Sequence, residues 1–131
     1  MHFRIDPSNG LAIYDQISRQ IKFAIANGAL RGGELIPSVR ELALRIAVNP
    51  NTVARAYRDL QVEGILEPVR GEGLRVKEGA QEGCRSERRT LLKARLQAAI
   101  AECRSGGLTT KEIRSLIDEA LQDTVAISSI A

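Results

Sequence analysis

The sequence predicts a mainly α-helical fold with a small β-hairpin wing: a winged helix-turn-helix followed by a two-helix C-terminal hairpin. Three observations predict it. Apolar residues recur every three or four positions in five separate stretches. Two Ser/Thr-x-x-Glu boxes and one Asn-Pro pair mark helix starts. Between the third and fourth stretches the helical period gives way to two short, partly β-branched runs around Arg70-Gly71-Glu72-Gly73.

The first helix is read from Leu11, where Ile13, Tyr14, Ile17, Ile21, Ala24 and Ile25 form one apolar face and Gly28 follows as a stop. Arg31 to Pro37, with Gly32 and Gly33, reads as a loop. Ser38 and Glu41 form a capping box that starts the second helix, with Val39, Leu42, Ala43 and Ile46 inward and an end near Ala47. A continuous helix could not tolerate Pro50. Asn49 before it is a favoured N-cap, and proline in the first helical position forgoes only an N–H that has no helical partner anyway. Pro50 therefore starts a third helix, buried through Val53, Tyr57 and Leu60 and stopped at Gly64. Two helices joined by a turn of about three residues are the signature of a helix-turn-helix, whose second helix can enter a DNA major groove.

Ile65 to Val69 and Leu74 to Lys77 then form the wing, with Pro68 pointing to an edge strand. Small and polar residues from Gly79 to Gly83 read as a linker. Leu91, Leu92, Leu96, Ala99 and Ile100 carry a fourth helix that ends at Ser105-Gly106-Gly107. Thr109 and Glu112 box the fifth, with Ile113, Leu116, Ile117, Ala120 and Leu121 on its apolar stripe. Val125 to Ala131 shows no clear pattern. The domains are accordingly 1–79, DNA-binding, and 84–131, helical. A two-helix hairpin has too little interior to bury both stripes, so a second copy is expected to cover Leu92, Leu96, Ile100, Ile113, Leu116, Ile117 and Leu121.

Composition narrows the function classes. A chain of 131 residues with 19 basic and 16 acidic residues has room for one modest core, and any nucleic-acid contact must come from charge placement rather than excess. Four arginines (Arg40, Arg45, Arg55, Arg58) face one acid (Glu41) between Ser38 and Arg58. Two cysteines without CxxC spacing and a lone histidine, His2, encode neither a metal site nor a disulfide framework, and no cofactor is expected. A reducing cytoplasm fits. No stretch approaches the ~18 apolar residues of a membrane span. No nucleophile and base, paired catalytic carboxylates or phosphate-cradling loop can be assembled, which leaves an enzyme without support. Cys84, in the linker, reads as an incidental thiol ahead of a redox switch, and Cys103 falls near the end of its helix.

The candidate contacts follow from position. Asn49, Asn51, Thr52 and Arg55 occupy the start of the third helix, where base edges are read, and Arg58 is within reach of a phosphate. Ser38 and Arg40 stand at the positive end of the second helix. Arg70 and Gly71 at the wing tip suit a minor groove. Ser38 and Asn49 are equally explained as caps, Tyr14 and Tyr57 as core residues, and Gly71 as a turn residue. A winged helix used for protein assembly without DNA is the alternative; arginine density on the third helix argues against it.

Residues 11–77 closely resemble the winged helix-turn-helix of the GntR family of bacterial transcription regulators. The shared elements are Tyr14 with Gln16 and Ile17, Gly28, Gly33, Pro37-Ser38 with Arg40, Leu42-Ala43, Asn51-Thr52-Val53, Ala56-Tyr57, Gly64, and Gly71 with Gly73. The resemblance implies DNA contacts at Arg40, Asn49 to Thr52, Arg55 and Arg70-Gly71. Ile36 stands where leucine is common, and Asn49-Pro50 where a serine-containing pair is more frequent; the second difference bears on base preference. The short helical remainder is similar to that of the YtrA subfamily, which implies a dimerisation module, a double-stranded palindromic operator and often control of transporter genes. A small-molecule effector, if the chain responds to one, is expected between the domains or at the dimer seam, and the sequence does not identify its residues.

Overall fold

A computed structural model describes residues 3–130, with the side chains of 126–130 set aside; Met1, His2 and Ala131 lie outside the described residues. The order is α1 (Ile13–Ala26), α2 (Val39–Ile46), α3 (Pro50–Val62), β1 (Leu66–Val69), β2 (Gly73–Val76), α4 (Ala80–Ser105) and α5 (Thr110–Ile130). The chain divides into two compact units, Met1–Arg89 and Thr90–Ala131.

In the first unit, α1, α2 and α3 enclose one core built from Ile17, Ile21, Ile25, Leu42, Val53, Ala56 and Leu60, closed from the wing side by Leu66 and Val76. Of the predicted inward positions, Ile17, Ile21, Ala24, Ile25, Leu42, Ala43, Val53, Tyr57 and Leu60 are buried, and Ile13, Tyr14, Val39 and Ile46 are half-buried against the same core. α1 begins at Ile13 rather than Leu11, because Asn9 and Leu11 belong to an N-terminal arm tied down by two glutamines one turn apart. Gln20 exchanges hydrogen bonds with the Arg4 backbone at 2.8 and 2.7 Å. Gln16, almost fully buried, accepts from Asp6 N–H at 2.8 Å and donates to the Asp6 carbonyl at 2.7 Å and the Leu11 carbonyl at 3.0 Å. A buried amide is costly unless satisfied, and here the satisfaction is what holds the arm.

The capping box of α2 forms as expected: Ser38 Oγ accepts from Glu41 N–H at 3.1 Å and Ser38 N–H donates to Glu41 at 3.4 Å. α2 ends on Ala47 at φ 54, the one non-glycine residue with positive φ among the described residues. That left-handed step makes the turn into Asn49 short. Tyr57, buried on α3, donates its hydroxyl to the Pro37 carbonyl at 2.8 Å and so pins α3 beneath the entry to α2. Burial pushes the phenol pKa up past the usual tyrosine range, with Arg45 opposing and Glu41 adding, so the hydroxyl remains a donor. Tyr57→Phe is expected to lower stability by about 1 kcal/mol, since the Pro37 carbonyl loses its partner. Urea denaturation checks it, and an unchanged midpoint would show that the bond is not needed.

The wing adds to one expectation. β1 and β2 pair antiparallel from Leu66 with Val76 to Val69 with Gly73, and Pro68 sits on the edge strand as predicted. Residues 33–36, read as loop, line the other edge of β2. Gly33 N–H donates to Val76 O at 2.7 Å, Val76 N–H to Glu34 O at 2.9 Å and Ile36 N–H to Leu74 O at 3.0 Å. The glycines that signalled a loop lie only at its start, and backbone pairing with a distant strand carries no local sequence mark.

A correction concerns Gly79 to Gly83. Gly79, at φ +84, turns the chain, and α4 begins at once with Ala80. Ala80 and Cys84, one turn apart, pack on the core of the first unit. That burial outweighs the roughly 1 kcal/mol that a helical glycine at Gly83 costs relative to alanine. The boundary between units accordingly falls inside α4. Cys84 is thus no linker thiol: it is buried, and burial raises its pKa, with Glu87 adding and Lys22 opposing. A thiol held protonated is a poor redox nucleophile. Lys22 ties the same region together, meeting Glu63 at 2.8 Å and Glu87 at 3.2 Å. Burial alone would lower the Lys22 pKa; the bonds and charges of the two carboxylates outweigh it and raise it. Arg88 lies over the Phe23 ring at 4.6 Å.

In the second unit, Thr109 and Glu112 form the predicted capping box, each side chain bonding the other's backbone N–H at 3.2 Å. α5 continues through Ile130, so residues 125–130 of the stretch read as patternless are helical, with no glycine or proline to interrupt them; Ala131 lies outside the described residues.

Candidate nucleic-acid interface

The two helices of the helix-turn-helix present different chemistry at their amino ends. At α2, Ser38 serves Glu41 N–H, and the amides of Val39 and Arg40 have no acceptor among the described residues. Those N–H groups, the positive end of the helix and the exposed Arg40 side chain make a place for an anion such as a phosphate. At α3 the donors are already used. Asn49 Oδ1 accepts from Asn51 N–H at 2.8 Å, the Asn49 carbonyl accepts from Thr52 at 3.0 Å and Val53 at 3.3 Å, and Pro50 has no N–H to offer. α3 is therefore left to act through side chains: Asn51 and Arg55 exposed, Thr52 partly so, and Arg58 exposed on the next turn. Asn49 spends its own carbonyl oxygen on the cap and keeps its amide NH2 for an outside acceptor.

Arg70 and Gly71 occupy the tip of the wing. Glu72 N–H closes the turn on Val69 O at 2.9 Å, with Gly71 at φ +78, a conformation that L side chains rarely adopt. Nothing lies within 4 Å of where a Cβ of Gly71 would stand, so the tip is open on that side. Behind the tip, Arg75 is held across the strands by Glu67 at 2.8 Å. Arg70 has no such partner. Among the described residues Arg40, Arg45, Arg55, Arg58 and Arg70 lack a carboxylate within ion-pair distance, whereas Arg19, Lys22 and Arg75 have one. Most cations of the described residues are likewise without an ion pair, so what distinguishes these five is their place on the helix-turn-helix and the wing tip.

Tyr14 packs against the core as read, and its half-buried ring also carries the Arg55 guanidinium 3.7 Å above its centroid, a contact that sequence reasoning missed. The two residues are far apart in the chain, and no local pattern signals that α1 and α3 bring them together.

The residues expected to meet a second copy divide. Leu92, Leu96, Leu116 and Leu121 are exposed at 45, 55, 46 and 60 %, and Ile100 and Ile117 are half-buried. Ile113 is only 4 % exposed, so its own chain already covers it and it offers little to a partner.

Comparison with known proteins agrees with this geometry. Residues 13–76 match the family described as bacterial regulatory proteins, gntR family. The HTH-type transcriptional repressor YtrA of Bacillus subtilis is 37% identical over 120 residues, 92% of either chain. The crystal structure of a transcriptional regulator from Oenococcus oeni superposes with a TM-score of 0.77 at 28% identity, covering 89% of this chain and 97% of that one. The DNA-binding domain AraR(DBD), solved in complex with operator ORX1, superposes with a TM-score of 0.50 at 27% identity over 58% of this chain and 98% of its own. This chain belongs to the gntR family of bacterial regulatory proteins.

Proposed function

We propose that the protein is a sequence-specific DNA-binding transcriptional regulator, a cytoplasmic repressor that acts as a homodimer on a palindromic operator. The observation that carries this is the placement of its arginines: Arg40, Arg55, Arg58 and Arg70 stand exposed on the helix-turn-helix and wing tip, with no carboxylate in ion-pair distance, beside a helix whose own backbone donors are satisfied. Arg40 and the free amides of α2 suit phosphate, Asn51, Thr52 and Arg55 suit base edges, and Arg70 with Gly71 suits the neighbouring minor groove. The operator complex of AraR(DBD) supports the DNA reading, and the name of the similar YtrA protein supports the repressor reading. Exposed leucines on α4 and α5 support a partner chain, and two copies present two reading helices to half-sites about one helical turn apart.

The test is selection of bound fragments from genomic DNA, followed by titration of the recovered duplex. Arg40→Ala is expected to weaken binding about equally across sequences and to flatten the salt dependence by about one counterion. Unchanged affinity in the folded variant would remove Arg40 from the interface. Failure to recover any shared half-site would remove the function.

A further inference from the structure

We propose that Tyr14 is a positioning residue for operator recognition: its ring face holds the Arg55 guanidinium flat and aimed outward before DNA arrives. The inference rests on the DNA-binding reading above. At 3.7 Å from centroid to guanidinium carbon, the cation lies on the ring rather than beside it. A stacked guanidinium is held through its face, which leaves the N–H donors in its plane free. No carboxylate of the described residues takes those donors, and nearby Asp15 is turned to Arg19 at 3.7 Å. The ring itself is anchored, because Tyr14 packs against the same core as Ile17 and Ile21. Arg55 is exposed at the second turn of α3, where a long flexible side chain would otherwise have to be ordered by each binding event. A platform on α1 therefore sets the reach of a contact made by α3, whichever edge of the duplex Arg55 meets.

The experiment uses the full chain and a duplex that the wild-type protein recovers from a random library. Binding is measured for Tyr14→Leu, Arg55→Ala and the double variant, with Tyr14→Met as a second ring-free variant should leucine unfold the domain. Removal of the ring is expected to weaken binding about two- to fivefold, the range of an exposed cation–π contact. In the Arg55→Ala background the same change is expected to cost less than about 1.5-fold, since there is nothing left to position. Tyr14→Phe, which keeps the ring face, recovers most of the affinity. In the free protein the Arg55 Nε–H resonance, shielded by the ring, moves downfield when the ring is removed, whereas a general loosening of α1 would not single out that proton. Equal losses in both backgrounds, or an Arg55 resonance indifferent to Tyr14, would overturn the positioning role while leaving DNA binding intact. If the wild-type protein recovers no duplex at all, the DNA reading and this inference fall together.

Discussion

Leu60→Ala is expected to lower the unfolding free energy by about 3 kcal/mol, within the roughly 2 to 5 kcal/mol range of buried leucine truncations. Leu60 is fully buried on α3 in the cluster shared with Ile17, Ile21 and Val53, so truncation removes contacts on several elements at once. Its carbonyl also receives Ile65 N–H at 2.9 Å, which sets the exit from α3 into the wing. A cavity there loosens the reading helix where it is anchored. Small domains carry about 5 to 15 kcal/mol of stability in total, so the loss is a large fraction of what is available. Val62→Ala, on the exposed side of the same helix, serves as the control and is expected to stay within about 0.5 kcal/mol of wild type. Chemical denaturation of both variants checks the pair. Equal effects would mean that α3 does not bury the side observed.

Replacing Leu96 and Leu121 together by aspartate is expected to weaken self-association at least about 100-fold, so that a dimeric protein sediments as a monomer. Both side chains are more than half exposed within one chain, on helices whose polar faces already suffice for water. Leucine is not placed so freely on both stripes without something to cover it. A carboxylate at each site would have to be buried unpaired in the dimer, which adds desolvation to the lost apolar contact. Sedimentation equilibrium across a concentration series is the measurement. Wild type that remains monomeric at tens of micromolar, or a double variant that remains dimeric, would remove these helices from the assembly. The unfolding of the first unit is expected to be unchanged, because its core contains neither residue.

Much of the helix-turn-helix geometry was legible because it is written locally. Ser38 with Glu41, Asn49 with Pro50, and Thr109 with Glu112 announce helix starts through bonds made within three residues, and each forms where expected. The 3.6-residue period named the buried residues of α1, α2 and α3 for the same reason: one face must leave water. One misreading, the linker at 79–83, came from glycines taken as breakers, and the loop at 31–37 carries an edge pairing that its glycines do not announce. In both places a distant surface supplied the missing stabilisation, the edge of β2 for Glu34 to Ile36 and the apolar core for Ala80 and Cys84. Neither partner is visible from inside the segment.

The sequence by itself determined where α2 and α3 begin and which side α1, α2 and α3 bury, and it named the arginines of α3. Those properties follow from hydrogen bonds and burial that span a few residues. Tertiary structure alone decided the long-range partners of the cations. It paired Lys22 with Glu63 and Glu87, paired Arg75 with Glu67, and laid Arg55 on Tyr14. The reason is distance: a charge is satisfied by whatever the fold brings within about 4 Å, and residues far apart in the chain meet there only after the core has formed.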